Sequence, residues 1–541
     1  MSKRAALVGG LLVFAAALVY FSSYAQYGLA YDEGYLLDGV ERLMDGQLIY
    51  RDFHHTYAPG RFYLIALAFQ AFGRNLLVER YVFAFLEAVK CLLAFLIVRE
   101  LTRSWWSLLA PFLIMIAPGP WHKVFFSSVG FVATYAVVLS IRRRPGFLVV
   151  AGLVVGCCAF FRQDVAGFAF LGGLAGIAIH GLTEHRGVRD LFLRVVLLAA
   201  GILIIAAPVL LYFHLHEALK PMIHQITVDG MRDNMTNRIP YPGLGAVTRV
   251  DSSYLLYVLP VKLLFYLPFA VYALTLLVIL RRVLSRKWTP AATSLVVVAL
   301  VSILAFNQSV WRSDLGHLLQ SMQYVFLLIP VVLASGIQRF SGRPHWGLKV
   351  PATIFSALAP PAFLIWASFG IVKASLDPRV IPVFAKEGLS VGDVEYLGSI
   401  AVRAGNDTKL GLKRAPVYVR PEEARFFGAL GTWLDANTAH GDYVLAVPQL
   451  QMLYFFYDRK NPTRYAHYRR AIEPEEEERY IRDIATHRTE YILLTEPFEG
   501  AKMGETRESF ADYAPRVRAW ILANYTEVGR LGSVRILERN P

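Results

Sequence analysis

Tyr31-Asp32-Glu33-Gly34 stands a few residues beyond the first apolar run of the chain, Ala5 to about Tyr24. Two adjacent carboxylates where a chain leaves a bilayer contribute nothing to membrane insertion. They mark either a charged helix start, where an acid is favourable, or a site of chemistry. Met1 to Arg4 is basic, so the apolar run reads as a retained first span with the N-terminus inside and the acid pair outside. Ser23-Tyr24-Ala25 offers a small-x-small cleavage site, but the many spans that follow, and the fixed anchor the acid pair needs, favour retention.

Composition supports a multi-span reading. The 541 residues are 55% hydrophobic and only 18% charged, too apolar for an ordinary soluble enzyme. The net charge of +14 is unevenly placed. From Lys373 onward 24 basic residues balance 24 acidic ones, so the excess lies in short clusters between the apolar runs before it. That pattern is positive-inside bias and not a nucleic-acid footprint. Cys91, Cys157 and Cys158 all sit in apolar runs, with no metal spacing and no disulfide framework.

With Lys and Arg clusters as punctuation, eleven spans follow. Span 1 is succeeded by runs at about 77–101, 105–118, 124–141, 147–161, 165–182, 195–213, 254–280, 290–306, 320–337 and 350–372. Arg142-Arg143-Arg144, Arg186/Arg189/Arg194, Arg281-Arg282 and Arg339/Arg343 then all fall on the N-terminal side. The expected architecture is a mostly α-helical polytopic membrane protein of about 11 transmembrane helices over residues 1–372, with a C-terminal soluble α/β domain over residues 373–541. The N-terminus is cytoplasmic and the C-terminal domain extracytoplasmic.

The loop between spans 1 and 2 is structured. Leu36, Leu37, Val40, Leu43 and Met44 form one face of a helix at about 34–46, closed by Gly46, and Phe62 to Phe72 is too short to span. Both read as interfacial helices, at about 34–46 and 61–72. His54-His55-Thr56-Tyr57-Ala58-Pro59-Gly60 between them is a turn. In the C-terminal region Pro421–Asn437, 475–485 and about 510–523 read as helices, and 443–447, 491–494 and 534–537 as strands. The polar stretch His214 to Ser253 reads as a lid-like loop with no diagnostic metal spacing.

Adjacent residues on a helix point about 100° apart. Asp32 and Glu33 therefore cannot readily share one proton, and a single base with a supporting neighbour fits better. The outer-side cations are Arg162 beside Asp164, Lys262, and the group Arg312, Asp314 and His317. Arginine suits phosphate through its planar fork of donors, although Arg162 and Lys262 also fit as snorkelling anchors. Glu87 and Lys90, near the middle of span 2, have the i, i+3 spacing of a structural ion pair.

An order of features carries a family resemblance. It runs from the acid pair through Gly46-Gln47-Leu48-Ile49-Tyr50-Arg51-Asp52, Tyr57-Ala58-Pro59-Gly60 and an apolar helix to Phe72-Gly73 and Arg80. This series resembles the protein O-mannosyltransferase-like branch of the glycosyltransferase C superfamily, which includes lipid A and lipopolysaccharide sugar transferases. The resemblance is strongest over residues 1–110. It implies an integral-membrane inverting glycosyltransferase of the plasma (bacterial inner) membrane. Such an enzyme moves a sugar from a polyprenyl-phosphate donor to a lipid, glycan or protein acceptor of the envelope on the outer face, with no cofactor and no nucleic-acid partner. It also implies Asp32 as general base and Glu33 as support. Arg162, Arg312, His317 and Lys262 are the candidates for the donor phosphate. Where the lipid A aminoarabinose transferases carry a lysine before the loop proline, this chain has Ala58, with Arg61, His54 and His55 as nearby substitutes and Tyr57 and Asp314 lining the substrate side. The alternatives from other classes are a flippase or transporter of lipid-linked sugars, which would show repeats and broken helices, and a glycan polymerase or ligase.

Overall fold

The computed structural model describes residues 2–30, 32–141, 143–243, 254–341, 346–376, 384, 389, 405–448, 450–466, 473–495, 510 and 514–541. The chain packs as two compact units. One comprises Met1–Ser23, Phe83–Val209 and Ile239–Ala401, the other Tyr24–Val82, Leu210–Arg238 and Val402–Pro541. The sequence boundary near residue 373 divides the chain by composition. These units divide it by contact, and the second takes in the loop that holds the acid pair.

The expected apolar runs fall mainly on helices. Among the described residues seven helices are long and apolar enough to cross a membrane: Lys3–Ser22, Leu76–Thr102, Trp121–Ile141, Gln163–Thr183, Val188–Leu215, Tyr254–Leu284 and Pro290–Trp311. The runs at 105–118, 147–161 and 350–372 appear as shorter apolar helices, Trp105–Ile116, Gly146–Phe161 and Thr353–Phe369, the last within the longer helix Trp346–Leu376. The run at 320–337 is broken. Helices Leu315–Val325 and Ile329–Ile337 meet at 45°. Pro330 stands in the first turn of the second helix, where its missing N–H costs nothing but its ring forbids a regular continuation from Val325. The helix expected at 195 starts at Val188, because Asp190 pairs with Arg194 at 2.8 Å and with Arg186 at 3.5 Å and supports a charged extra turn.

Within the first unit, small residues let helices touch backbone to backbone. A Cβ on Gly152 would stand 2.2 Å from the Leu198 carbonyl oxygen and 2.8 Å from the Gly201 Cα. Helices Gly146–Phe161 and Val188–Leu215 therefore meet at two glycines, the usual device where apolar lipid offers no competing drive to bury surface. Lys90 and Glu87 form the expected buried pair, with Nζ 2.8 Å from Oε1.

In the second unit both short helices are present, as Glu33–Met44 and Gly60–Phe72. Gly46 and Gly73 end them at φ +86° and +90°, angles that favour glycine. The first packs on the helix Met452–Tyr457 so closely that a Cβ on Gly34 would lie 2.8 Å from the Met452 amide nitrogen. Buried Arg42 fixes the contact, donating to Asp38 at 3.0 Å and to the Thr463 carbonyl at 2.7 Å.

The C-terminal residues form strands β1 (Thr408–Lys409), β2 (Tyr418–Val419), β3 (Val444–Val447), β4 (Tyr491–Thr495), β5 (Tyr525–Leu531) and β6 (Val534–Arg539). The last four make one sheet in the order β3-β4-β6-β5, parallel between β3 and β4 and antiparallel elsewhere. Helices Pro474–Thr486 and Pro515–Asn524 cover it through Tyr480, Ile484, Val517 and Ile521, packed on Leu445, Ile492, Leu494 and Leu537. Strand β5 is an edge rich in polar residues, so it gives no apolar signal in the sequence. Part of the expected lid is also ordered, as helical segments Leu219–His224, Gln225–Asp229 and Gly230–Thr236. Residues 244–253 of that stretch lie outside the described residues.

Candidate active site

The stretch leading to the acid pair is held from two directions. Its backbone pairs with the C-terminal region, through Gly28 N to Tyr418 O at 2.8 Å and Tyr418 N to Gln26 O at 2.7 Å. Its carbonyls are taken by Arg80, which donates to Ala25 O at 3.0 Å, Tyr27 O at 3.3 Å and Gly28 O at 3.0 Å. Arg80 also forks onto Glu33, at 3.0 Å to one oxygen and 2.7 Å to the other.

The two acids are thus separated. Glu33 is fully enclosed and locked to Arg80. Asp32, one residue earlier at the start of the helix Glu33–Met44, is only half-buried. Its carboxyl makes no capping hydrogen bond to that helix. A helical turn of 100° sends neighbouring side chains into different surroundings, and here Glu33 is enclosed while Asp32 keeps partial exposure.

The turn between the helices is held by several hydrogen bonds. Tyr50 adopts φ +73°, a strained left-handed conformation for a bulky residue. Its carbonyl accepts from Gln225 at 2.8 Å and Arg464 at 3.1 Å, and its hydroxyl donates to Tyr57 O at 2.8 Å. His54 is buried, with Nε2 3.0 Å from an Asp229 oxygen. His55 is buried too. Its Nε2 lies 2.9 Å from an Arg61 nitrogen, and because guanidinium can only donate, this ring nitrogen is the acceptor. Arg61 lies over the exposed ring of Tyr57, 4.5 Å from its centroid. His54, His55, Tyr57 and Arg61 therefore form one connected loop, in the same unit as Asp32 and Glu33.

The remaining candidates belong to the first unit. Asp314 caps the helix Leu315–Val325, accepting from the His317 backbone N–H at 2.9 Å. The same carboxyl holds the His317 ring at 2.8 Å and Arg312 Nε at 2.9 Å. Burial alone would raise the Asp314 pKa, but His317, Lys123 and Arg312 together more than reverse this and hold the carboxyl well below its usual range. Lys123 places Nζ 3.4 Å from His317 Nδ1. It was not among the sequence candidates. Its signal was available, since it opens the span at 124–141 from the side on which the basic clusters place the acid pair. Arg162 forks onto Asp164, with Nε at 3.0 Å, and lies 4.9 Å from the centre of the Phe126 ring. Lys262 is buried in the helix Leu259–Leu284. Lys123, Arg312 and the His317 ring are thus gathered at the Asp314 carboxylate, which takes up part of their positive charge. Among the described residues no group of three or more His, Cys, Asp and Glu is arranged to hold a metal ion.

The sequence matches no family model and no curated protein. Among solved structures the chain is similar to ArnT from Cupriavidus metallidurans bound to undecaprenyl phosphate, with a TM-score of 0.53 and 13% identity, covering 99% of this chain and 98% of that one. It is similar to ArnT from the same organism in the apo state, with a TM-score of 0.53 and 15% identity, covering 98% of each. At such identity the likeness is one of fold. It extends over almost the whole chain, and the many-helix fold with a C-terminal α/β region is the one expected from the sequence.

Proposed function

We propose that this multi-span protein is an inverting glycosyltransferase that takes a sugar from a polyprenyl-phosphate donor and moves it to an envelope acceptor on the outer face of the plasma membrane. The observation that carries the reading is the separation of the acid pair. Glu33 is enclosed and paired with Arg80, whereas Asp32 is half-buried and so within reach of a substrate. The full-length likeness of fold to a protein solved with undecaprenyl phosphate supports the donor class.

In the proposed reaction the acceptor oxygen attacks the anomeric carbon as Asp32 takes its proton. The bond from that carbon to the phosphate oxygen breaks on the opposite face, and polyprenyl phosphate departs with the electron pair. Cations around the leaving phosphate lower the barrier as its charge grows, so no separate general acid is needed. Arg312, His317 and Lys123 are the proposed anion-binding group, with Arg162 and Lys262 contributing from the same unit. Arg61, at the end of the turn that begins at His54, is the proposed loop cation. Glu33 supports Asp32 by fixing, with Arg80, the start of its helix.

The flippase alternative draws on one feature, the broken pair Leu315–Val325 and Ile329–Ile337. A flippase makes and breaks no bond and has no use for a base at the acceptor. Mass spectrometry of envelope glycans and lipids with and without the gene separates the two. A transferase removes one sugar from one product, whereas a flippase leaves the donor lipid stranded and affects everything made from it.

A further inference from the structure

The C-terminal residues have no part in the reaction above, yet one of their turns reaches the loop that carries Arg61. Asn461-Pro462-Thr463-Arg464-Tyr465 is closed on itself. The Asn461 side-chain oxygen accepts from the Thr463 N–H at 2.9 Å, and its amide donates to Tyr465 O at 2.8 Å. An Asn side chain bonded to the backbone two residues on is a turn-forming device. The turn is anchored on both flanks. Arg42 donates to Thr463 O at 2.7 Å, and the Arg464 N–H donates to Asp483, on the helix Pro474–Thr486, at 3.2 Å.

So held, Arg464 meets the loop with two groups. Its carbonyl accepts from the His54 N–H at 2.8 Å, and its Nη2 donates to Tyr50 O at 3.1 Å. The Tyr465 ring lies beside the His54 ring, with centroids 5.3 Å apart. Tyr50 is the residue that needs such a hold. A tyrosine at φ +73° persists only where its surroundings over-determine it. Arg464 and Gln225 fix its carbonyl, and its buried side chain carries that placement across the loop to Tyr57 O, 2.8 Å from its hydroxyl. Tyr57 and His55 in turn hold Arg61. Arg464 is therefore linked to Arg61 by a short series of direct contacts, all within the second unit.

We propose that Arg464 is a positioning residue for the donor phosphate, acting through Tyr50 on Arg61. The turn Asn461–Tyr465 gives the C-terminal residues a task in the reaction, which is to brace the loop whose cation meets the phosphate. This rests on the reading of Arg61 as the loop cation. It adds to that reading the residue that holds the loop in its strained form.

The test is Arg464→Met, which keeps a flexible apolar stem and loses the donor. In nanodiscs the variant should bind undecaprenyl phosphate about tenfold more weakly than the wild type by native mass spectrometry, the loss of one charge-assisted contact. Amide hydrogen exchange should quicken over residues 50–61 and keep the wild-type rate in strands β3, β4 and β6. Arg464→Lys, which restores a donor, should recover much of the affinity. Wild-type affinity in Arg464→Met would overturn the proposal. So would exchange that quickens in the sheet as much as in the loop, or an Arg464→Lys variant as weak as Arg464→Met. If the wild type binds no undecaprenyl phosphate, the donor reading fails instead. The hold of Arg464 on the loop is then judged on exchange alone, and equal rates over residues 50–61 in wild type and Arg464→Met would refute it.

Discussion

Replacing Arg80 by leucine should be one of the most damaging single changes in the second unit, and the structure indicates how damaging. The substitution strands Glu33, which is fully enclosed, and removes the donor from three carbonyls in the stretch before Asp32. Taking one partner from a buried ion pair costs about 3–5 kcal/mol, because the other charge remains out of water. The freed carbonyls add roughly 1 kcal/mol each where water cannot reach them. Glu33→Leu alone leaves Arg80 with its carbonyl partners and costs less. The double variant Glu33→Leu/Arg80→Leu removes the stranded charge and should recover much of the loss, since a buried pair replaced by apolar side chains is often nearly neutral. Equilibrium unfolding in mixed micelles of mild detergent and SDS measures all three variants. The expected coupling between the two positions is at least about 2 kcal/mol. Additivity within about 0.5 kcal/mol would mean that the fork is incidental and that Glu33 is not held by Arg80.

Three further outcomes follow from particular contacts. Asp314 is held below the ordinary carboxylate range, so its contribution to stability is present above a pH of about 4 and is lost as pH falls below it; Asp314→Asn should flatten that part of the thermal midpoint profile. Lys123→Gln should weaken binding of undecaprenyl phosphate about tenfold by native mass spectrometry, the loss of one charge-assisted contact, with the thermal midpoint little changed. Gly34→Ala should lower stability by about 1–3 kcal/mol in the same unfolding assay, because the new Cβ meets the Met452 backbone at 2.8 Å.

Much of the architecture could be read from hydropathy and charge, because lipid imposes a strong rule. A span must satisfy its own backbone, so apolar runs become helices, and the basic clusters mark their ends. The same rule fails where local chemistry intervenes. Pro330 breaks a run that looks continuous, and the Asp190–Arg194 pair extends a helix beyond its apolar core. The two helices after the acid pair were legible from an apolar face and from a run too short to span. Strand β5 was not, since an exposed edge carries polar residues.

At the site, the sequence supplied the acid pair and the geometric reason to separate it, but not the partner that separates it. Arg80 could be read only as a basic residue opening the second span. Its five donors converge on Glu33, 47 positions away in the chain, and on Ala25, Tyr27 and Gly28, 52 to 55 positions away, and no local pattern reports such a contact. Lys123 did carry a signal, its place at the outer start of a span, but a single lysine there looks like an anchor until His317 and Asp314 are placed beside it. Asp229 as the partner of His54 joins two stretches 175 residues apart.

The central claim is that Asp32 is the base. The direct measurement is transfer by purified Asp32→Asn, reconstituted in nanodiscs, from a panel of undecaprenyl-phosphate sugars to an envelope extract, with undecaprenyl phosphate binding and thermal midpoint followed in parallel. The expected result is wild-type insertion, binding and stability with transfer reduced by about 10²-fold or more. Turnover close to wild type in a variant that cannot take a proton at this position would contradict the account.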